Sequence, residues 1–104
     1  MTERFDIAIV GGGLVGSSLA CALAPLGWSV ALIEAQPPRA SAPAWDERNF
    51  ALSRRSVQAL DALGIWAHAA AEAHPIRKVR VTSRGDFGAV RIRASDYGLD
   101  ALGH

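Results

Sequence analysis

Three glycines, Gly11, Gly13 and Gly16, follow a short apolar run from Phe5 to Val10 and open a stretch of helical periodicity. Each can do a separate job. Gly11 permits a tight turn, Gly13 lets an anion approach the backbone, and Gly16 lets a helix pack closely against a strand. The first N–H groups of a helix have no partner within it and lie at the positive end of its dipole, so a phosphate group fits there. About 20 residues further on, Glu34 closes a second apolar run, Ser29 to Glu34. A carboxylate at that point accepts hydrogen bonds from a ribose diol and repels a 2′-phosphate. The chemistry served by this pattern is the binding of a dinucleotide. The bland alternative is a flexible glycine turn and a solvated strand end, but the register of strand, glycines, helix, second strand and acid favours binding. The motif alone leaves nicotinamide and flavin dinucleotides open, because both present adenosine and pyrophosphate to the same unit.

The elements that must position these residues are legible from periodicity. The run Phe5 to Val10 reads as a buried strand ending in the glycine turn. Leu19, Leu23 and Leu26 recur at helical spacing among small alanines, and Gly27 is placed to end that helix. Pro25 removes a backbone donor, so the helix is expected to fray or kink between Cys21 and Pro25. Ser29 to Glu34 has the continuous apolar character of a parallel strand buried on both faces, which makes a βαβ unit of about 30 residues. Gln36 to Ala44, rich in Pro and Ala, reads as a surface loop. Ser53 is a plausible N-cap for a helix through Leu63, with Gly64 beyond its end, and a short helical stretch follows from Trp66 to Glu72. From Ile76 to Arg84, and again from Val90 to Arg93, the pattern alternates with period two around Gly85-Asp86-Phe87-Gly88, predicting a β-hairpin. Residues 94–104 show no clear element. The expected fold class is α/β: a partial Rossmann-like βαβ unit with an added β-hairpin.

Composition narrows the function classes. With 104 residues the chain has room for one small domain. Eleven basic residues against ten acidic ones supply no strong overall field for nucleic acid or for an anionic membrane. No apolar run approaches the ~20 residues needed to span a bilayer, and no secretory signal opens the chain. The single cysteine, Cys21, excludes an internal disulfide and fits a reducing, cytoplasmic setting. It reads as a small buried helix residue rather than a nucleophile, lacking a basic neighbour to make a thiolate. His68, His74 and His104 have no metal-ligand spacing. The hairpin face of Lys78, Arg80, Arg84, Arg91 and Arg93 could meet an anionic membrane, although a solvated or covered strand face is the plainer reading.

Residues 5 to 34 resemble the N-terminal fingerprint of FAD-binding flavoproteins, with Ala20, Leu23, Gly27, Val30 and Glu34 at that group's spacing. Asp46-Glu47-Arg48-Asn49-Phe50-Ala51-Leu52 is similar to the D-x-R-x-x-A-L segment of the aromatic hydroxylases. Leu63-Gly64-Ile65-Trp66 is similar to that group's L-G-x-W helix end, and Ser83-Arg84-Gly85-x-x-Gly88, Asp96-Tyr97-Gly98-Leu99 and Ala101-Leu102-Gly103 resemble, within it, the polyprenyl-phenol hydroxylases of ubiquinone biosynthesis. The resemblance implies FAD as cofactor, its pyrophosphate at Gly11, Gly13 and Gly16, its adenosine ribose at Glu34, and a further cofactor contact from Arg48, whose guanidinium fork suits phosphate or ribose oxygens. It places Phe50 to Leu52 near the flavin ring. It further implies a monooxygenase that uses NAD(P)H and dioxygen on a polyprenyl phenol, in the cytoplasm or peripheral to the inner membrane.

Two segments that complete the FAD site in that family, a later D-G and a G-D-A-x-H, do not occur here. The expectation is therefore the N-terminal part of an FAD-binding domain, inactive by itself, with the rest of the site and the substrate domain supplied by further sequence. Two rivals stay open: a fragment of an NAD-dependent dehydrogenase, and a non-catalytic nucleotide-binding module.

Overall fold

The computed structural model describes residues 2–36 and 49–104. The expected loop from Gln36 to Ala44 (beyond Gln36 itself) and the Asp46-Glu47-Arg48 part of the hydroxylase-like segment lie outside the described residues. The chain divides into two compact units, Met1–Arg48 and Asn49–His104.

In the first unit, strand β1 (Ile7–Val10) runs parallel to β2 (Val30–Ile33), with Ile7 opposite Val30 and Val10 opposite Ile33. Both strands are shorter than the apolar runs that predict them. The pairing is locked at one end by Asp6 and Ser29: the Ser29 hydroxyl and N–H donate to Asp6 Oδ2 at 2.7 and 2.9 Å, and the Asp6 N–H donates back to Ser29 Oγ at 3.0 Å. These bonds favour the ionised carboxylate and hold the Asp6 pKa below its ordinary 3.8, chiefly through the Ser29 side chain. At the other end the Gly11 N–H donates to Ile33 O at 2.8 Å, extending the ladder into the glycine turn.

Helix α1 (Leu14–Leu23) crosses between the strands. As the proline predicts, it does not continue as an α-helix: Ala24–Leu26 tighten into a 3₁₀ turn around Pro25, and Gly27 closes it in the left-handed region at φ +74°. Ile9 is the buried residue of this unit, and it lies beneath Gly16. The leucine stripe is only partly covered, for Leu19 and Leu26 are exposed, and Cys21 is exposed as well, contrary to its expected burial. The helix turns Gly16 toward β1, and Cys21 follows five positions on, half a turn away from that contact.

The second unit opens with α2 (Arg54–Ala62), capped by Ser53, whose Oγ accepts from the Ser56 N–H at 3.2 Å, and ended at Gly64 with φ +75°. Helix α3 (Trp66–Ala69) follows and stops short of Glu72. Strands β3 (Lys78–Val81) and β4 (Val90–Arg93) form the predicted antiparallel hairpin. β3 ends three residues before Arg84, because the chain already turns at Ser83, whose carbonyl accepts from the Asp86 N–H.

Residues 94–104 are more ordered than the sequence suggests. Ala94–Tyr97 form a 3₁₀ turn with Ala94 buried. Residues 102–104 then run between two segments: the Leu52 and His104 backbones exchange hydrogen bonds of 2.7 and 2.9 Å, the Leu102 N–H donates to Ile76 O, and the Ile76 N–H donates to Gly103 O. A Cβ on Gly103 would overlap the Leu52 carbonyl oxygen, so the close approach needs glycine. The His104 ring packs edge-on against Trp66, with centroids 5.2 Å apart.

Candidate dinucleotide site at the glycine turn

The three predicted glycines are brought together at the start of α1, and the backbone itself requires glycine at two of them. Gly11 has φ +103°, a conformation that side-chain-bearing residues rarely adopt. At Gly16 a Cβ would overlap the Gly11 carbonyl oxygen and come within 3.3 Å of Ile9 Cγ2, so its bare backbone is what lets the helix sit against the strand. Gly13 is different. It is the N-cap of α1 with φ −74° and ψ −167°, which any residue can adopt, and a Cβ there meets nothing within 4 Å. Nothing in this chain's described residues excludes a side chain at Gly13, whereas a pyrophosphate approaching the backbone would.

The donors at this end of the helix are free to receive such a group. The N–H groups of Gly13, Leu14, Val15 and Gly16 have no hydrogen-bond partner among the described residues, and the first turn of α1 carries no acidic side chain. Unpaired N–H groups and the positive dipole end together favour an anion.

Two further residues, not singled out by motif reading, hold the turn in shape. The Gly12 N–H donates to Glu34 Oε2 at 2.7 Å, and the Ser17 hydroxyl donates to the Gly12 carbonyl at 2.9 Å. Gly12 is therefore tied at both of its backbone polar groups. Across a planar trans peptide the carbonyl and the following N–H point in opposite directions. Drawing the Gly12 carbonyl toward Ser17 thus turns the Gly13 N–H away from the helix and outward. A Cβ at position 12 would lie 3.0 Å from Glu34 Oε2 and 3.3 Å from Glu34 Cβ, so the Glu34 side chain would have to shift by a few tenths of an ångström to admit it.

Glu34 is exposed at the end of β2, and its carboxylate is oriented from both sides: Oε1 accepts from the Gln36 N–H at 3.0 Å while Oε2 accepts from Gly12. Those hydrogen bonds, Gln36 first, hold its pKa below the ordinary 4.5. Each carboxylate oxygen has a second lone pair, so the group can still accept from a ribose diol. The donor set, the open face over Gly13 and the fixed carboxylate all fit the ADP half of a dinucleotide. The fifth predicted contact, Arg48, lies outside the described residues.

Comparison with known proteins agrees with this geometry. A family model described as FAD binding domain matches residues 4–100. Ubiquinone hydroxylase UbiL of Rhodospirillum rubrum is 43% identical over 81 residues, covering 77% of this chain and 19% of that protein. The 3-demethoxyubiquinol 3-hydroxylase of Escherichia coli is 40% identical over 102 residues, covering 95% of this chain and 26% of the relative. A kynurenine 3-monooxygenase of Salinispora arenicola is 38% identical over 100 residues, 93% of this chain and 21% of that enzyme. The chain thus spans roughly a quarter or less of the length of these curated relatives. Two of them are named for ubiquinone chemistry and one for kynurenine. A match that runs nearly end to end, over residues 4–100, shows that the chain belongs to the FAD binding domain family.

Proposed function

We propose that this chain carries the ADP-binding part of an FAD-dependent monooxygenase that hydroxylates a polyprenyl phenol in ubiquinone biosynthesis, with NAD(P)H as reductant and dioxygen as co-substrate. The observation that carries the cofactor half of this reading is Gly13: an unhindered backbone position, conformationally open to any residue, next to N–H groups without partners among the described residues. The hydroxylase half is supported by the ubiquinone hydroxylases among the relatives.

Bound FAD supplies the redox chemistry, which no side chain can perform. The residues of this chain bind and orient. The N–H groups of Gly13 and the first turn of α1 hold the pyrophosphate, Glu34 accepts from the adenosine ribose, and Ser17 with Glu34 keeps Gly12 in place. Arg48 adds a contact to phosphate or ribose, and Phe50 to Leu52 run beside the flavin ring. No general acid or base is required from these segments.

The remaining FAD-site segments and the substrate domain belong to sequence outside these residues. Exposed apolar surface on the first unit supports that assignment: Val10 is 83% and Val15 82% exposed, and each strand of the β1–β2 pair has one edge without a partner among the described residues. No helix among the described residues is long and apolar enough to cross a membrane, and the proposed setting is the cytoplasm, peripheral to the inner membrane.

The complete protein that carries this chain should purify yellow, with flavin absorbance released on denaturation, and should consume NAD(P)H faster when a prenylated phenol is added. A colourless protein that binds NAD and not FAD would overturn the reading in favour of a dehydrogenase. FAD binding with no NAD(P)H consumption would overturn the monooxygenase in favour of a non-catalytic module.

A further inference from the structure

The β3–β4 hairpin has two unlike faces. Register places Lys78 opposite Arg93 and Arg80 opposite Arg91, while Val79 faces Ile92 and Val81 faces Val90. Side chains alternate along a strand, so one face of the ribbon carries four cations and the other four β-branched apolar residues. Like charges directly opposite one another destabilise a strand pair. The cationic side chains are exposed, and none has an ion-pair partner among the described residues. Overall basicity does not explain this grouping, because the chain's formal net charge is only +1. A fold that stacks cation upon cation across two consecutive same-face pairs accepts a stability cost that an ordinary solvated face, with mixed signs, avoids.

The loop joining these strands adds a second observation. Phe87 stands at its tip, 109% exposed, between Gly85 and Gly88, both of which have positive φ. Arg84 precedes Gly85 in the same loop, and the hairpin's acidic side chain, Asp86, sits in the turn and off the ladder. An aromatic ring projected from a turn next to a cationic face fits the boundary of a bilayer, where the ring enters the acyl region and the cations meet phosphate headgroups. A nucleic-acid site would instead interleave aromatic side chains with the cations on one face, and here the strand residues between the cations point to the opposite face.

The geometry points to the β3–β4 hairpin as a docking surface for an anionic phospholipid membrane, with Lys78, Arg80, Arg91 and Arg93 facing the headgroups and Phe87 inserted. The opposite, apolar face is open too, with Val79, Val81 and Val90 exposed and Ile92 half-buried, and in the proposed orientation it lies away from the headgroups. The inference rests on the proposed function in one respect, that a polyprenyl phenol is itself held in a bilayer.

The test is vesicle co-sedimentation of the complete FAD-loaded protein, using phosphatidylcholine with and without phosphatidylglycerol. Binding should require phosphatidylglycerol and weaken with salt. Arg80→Ala and Arg91→Ala should each weaken it roughly fivefold, and Phe87→Ser roughly tenfold. Because each arginine variant relieves a like-charge pair, its thermal midpoint should hold or rise while vesicle binding falls, a combination that damage to the fold cannot produce. FAD retention, measured on the same samples, reads the proposed function separately and should be unchanged. Equal binding to neutral vesicles, or anionic binding unaffected by these substitutions, would overturn the proposal. So would binding to a short single-stranded RNA that these variants abolish when no vesicle binding is seen.

Discussion

The two units use glycine at close backbone contacts, but they leave the surrounding hydrogen-bond donors in opposite states. Around Gly103 the Leu52 and His104 backbones are mutually bonded, the Ile76 N–H and the Gly103 carbonyl pair with each other, and the missing Cβ only lets one segment pass against another. Around Gly13 the nearby carbonyl and carboxylate are tied down by Ser17 and by the Gly12 N–H, while four successive N–H groups are left without partners. Saturated backbone is the mark of a structural contact. Any helix start leaves such donors unpaired; here no side chain caps them and open space lies beside Gly13, as the proposed pyrophosphate site requires.

The sharpest way to break that comparison is to add side chains where backbone already fills the space. Gly16→Val and Gly103→Val should each cost about 3 kcal/mol or more, since overpacking here meets carbonyl oxygens rather than yielding side chains. Thermal or denaturant unfolding of the complete protein would register this, and unchanged stability in either would remove the close approach from the account.

Glu34→Ala should come next in size. It deletes the acceptor for the Gly12 N–H together with the ribose contact, and FAD affinity should fall roughly ten- to a hundredfold, read by flavin fluorescence titration. A smaller and paired effect separates two serines. Ser17→Ala should weaken FAD binding several-fold, about what one neutral hydrogen bond contributes, with little change in unfolding. Ser53→Ala should do the reverse, costing about 1 kcal/mol of stability as a lost helix cap while leaving FAD affinity alone. If both serines moved the same observable, the distinction between the units would lose its basis.

The smallest effect is the pH dependence. Asp6 and Glu34 have folded-state pKa values below their ordinary 3.8 and 4.5. A depressed carboxyl pKa stabilises the fold above the ordinary value, and that contribution is lost as pH falls through the folded one. Thermal midpoints should therefore drop as pH falls below the ordinary carboxyl range, and Asp6→Asn should flatten part of the slope. Both groups are exposed, so solvent screening keeps the change small.

Much of the first unit is legible in the sequence, because glycine spacing, apolar runs and the terminal acid are local signals that agree with one another. Pro25 and Gly27 announced how α1 ends, and Ser53 announced where α2 begins. Gly12 and Ser17 were not legible in the same way. Their importance comes from a carboxylate 22 residues away and a carbonyl five residues back, and only the folded backbone brings these groups together. The path of residues 102–104 was hidden for a similar reason. Its bridges involve single residues, Ser53 and Ile76 with Gly103, and too few positions alternate to leave a period. Cys21 failed as a buried residue because apolar spacing marks a helical face without saying how much of it is covered.

The central claim is that Gly13 is kept bare for a cofactor and not for the fold. Gly13→Val in the complete protein, assayed for FAD affinity and for the thermal midpoint of the FAD-free form, tests it most directly. The account predicts a loss of FAD affinity of roughly a hundredfold or more, as expected when a side chain displaces the pyrophosphate from several charge-assisted donors, with the FAD-free midpoint nearly unchanged. Retained FAD affinity, or a collapse of stability matching that of Gly16→Val, would contradict it.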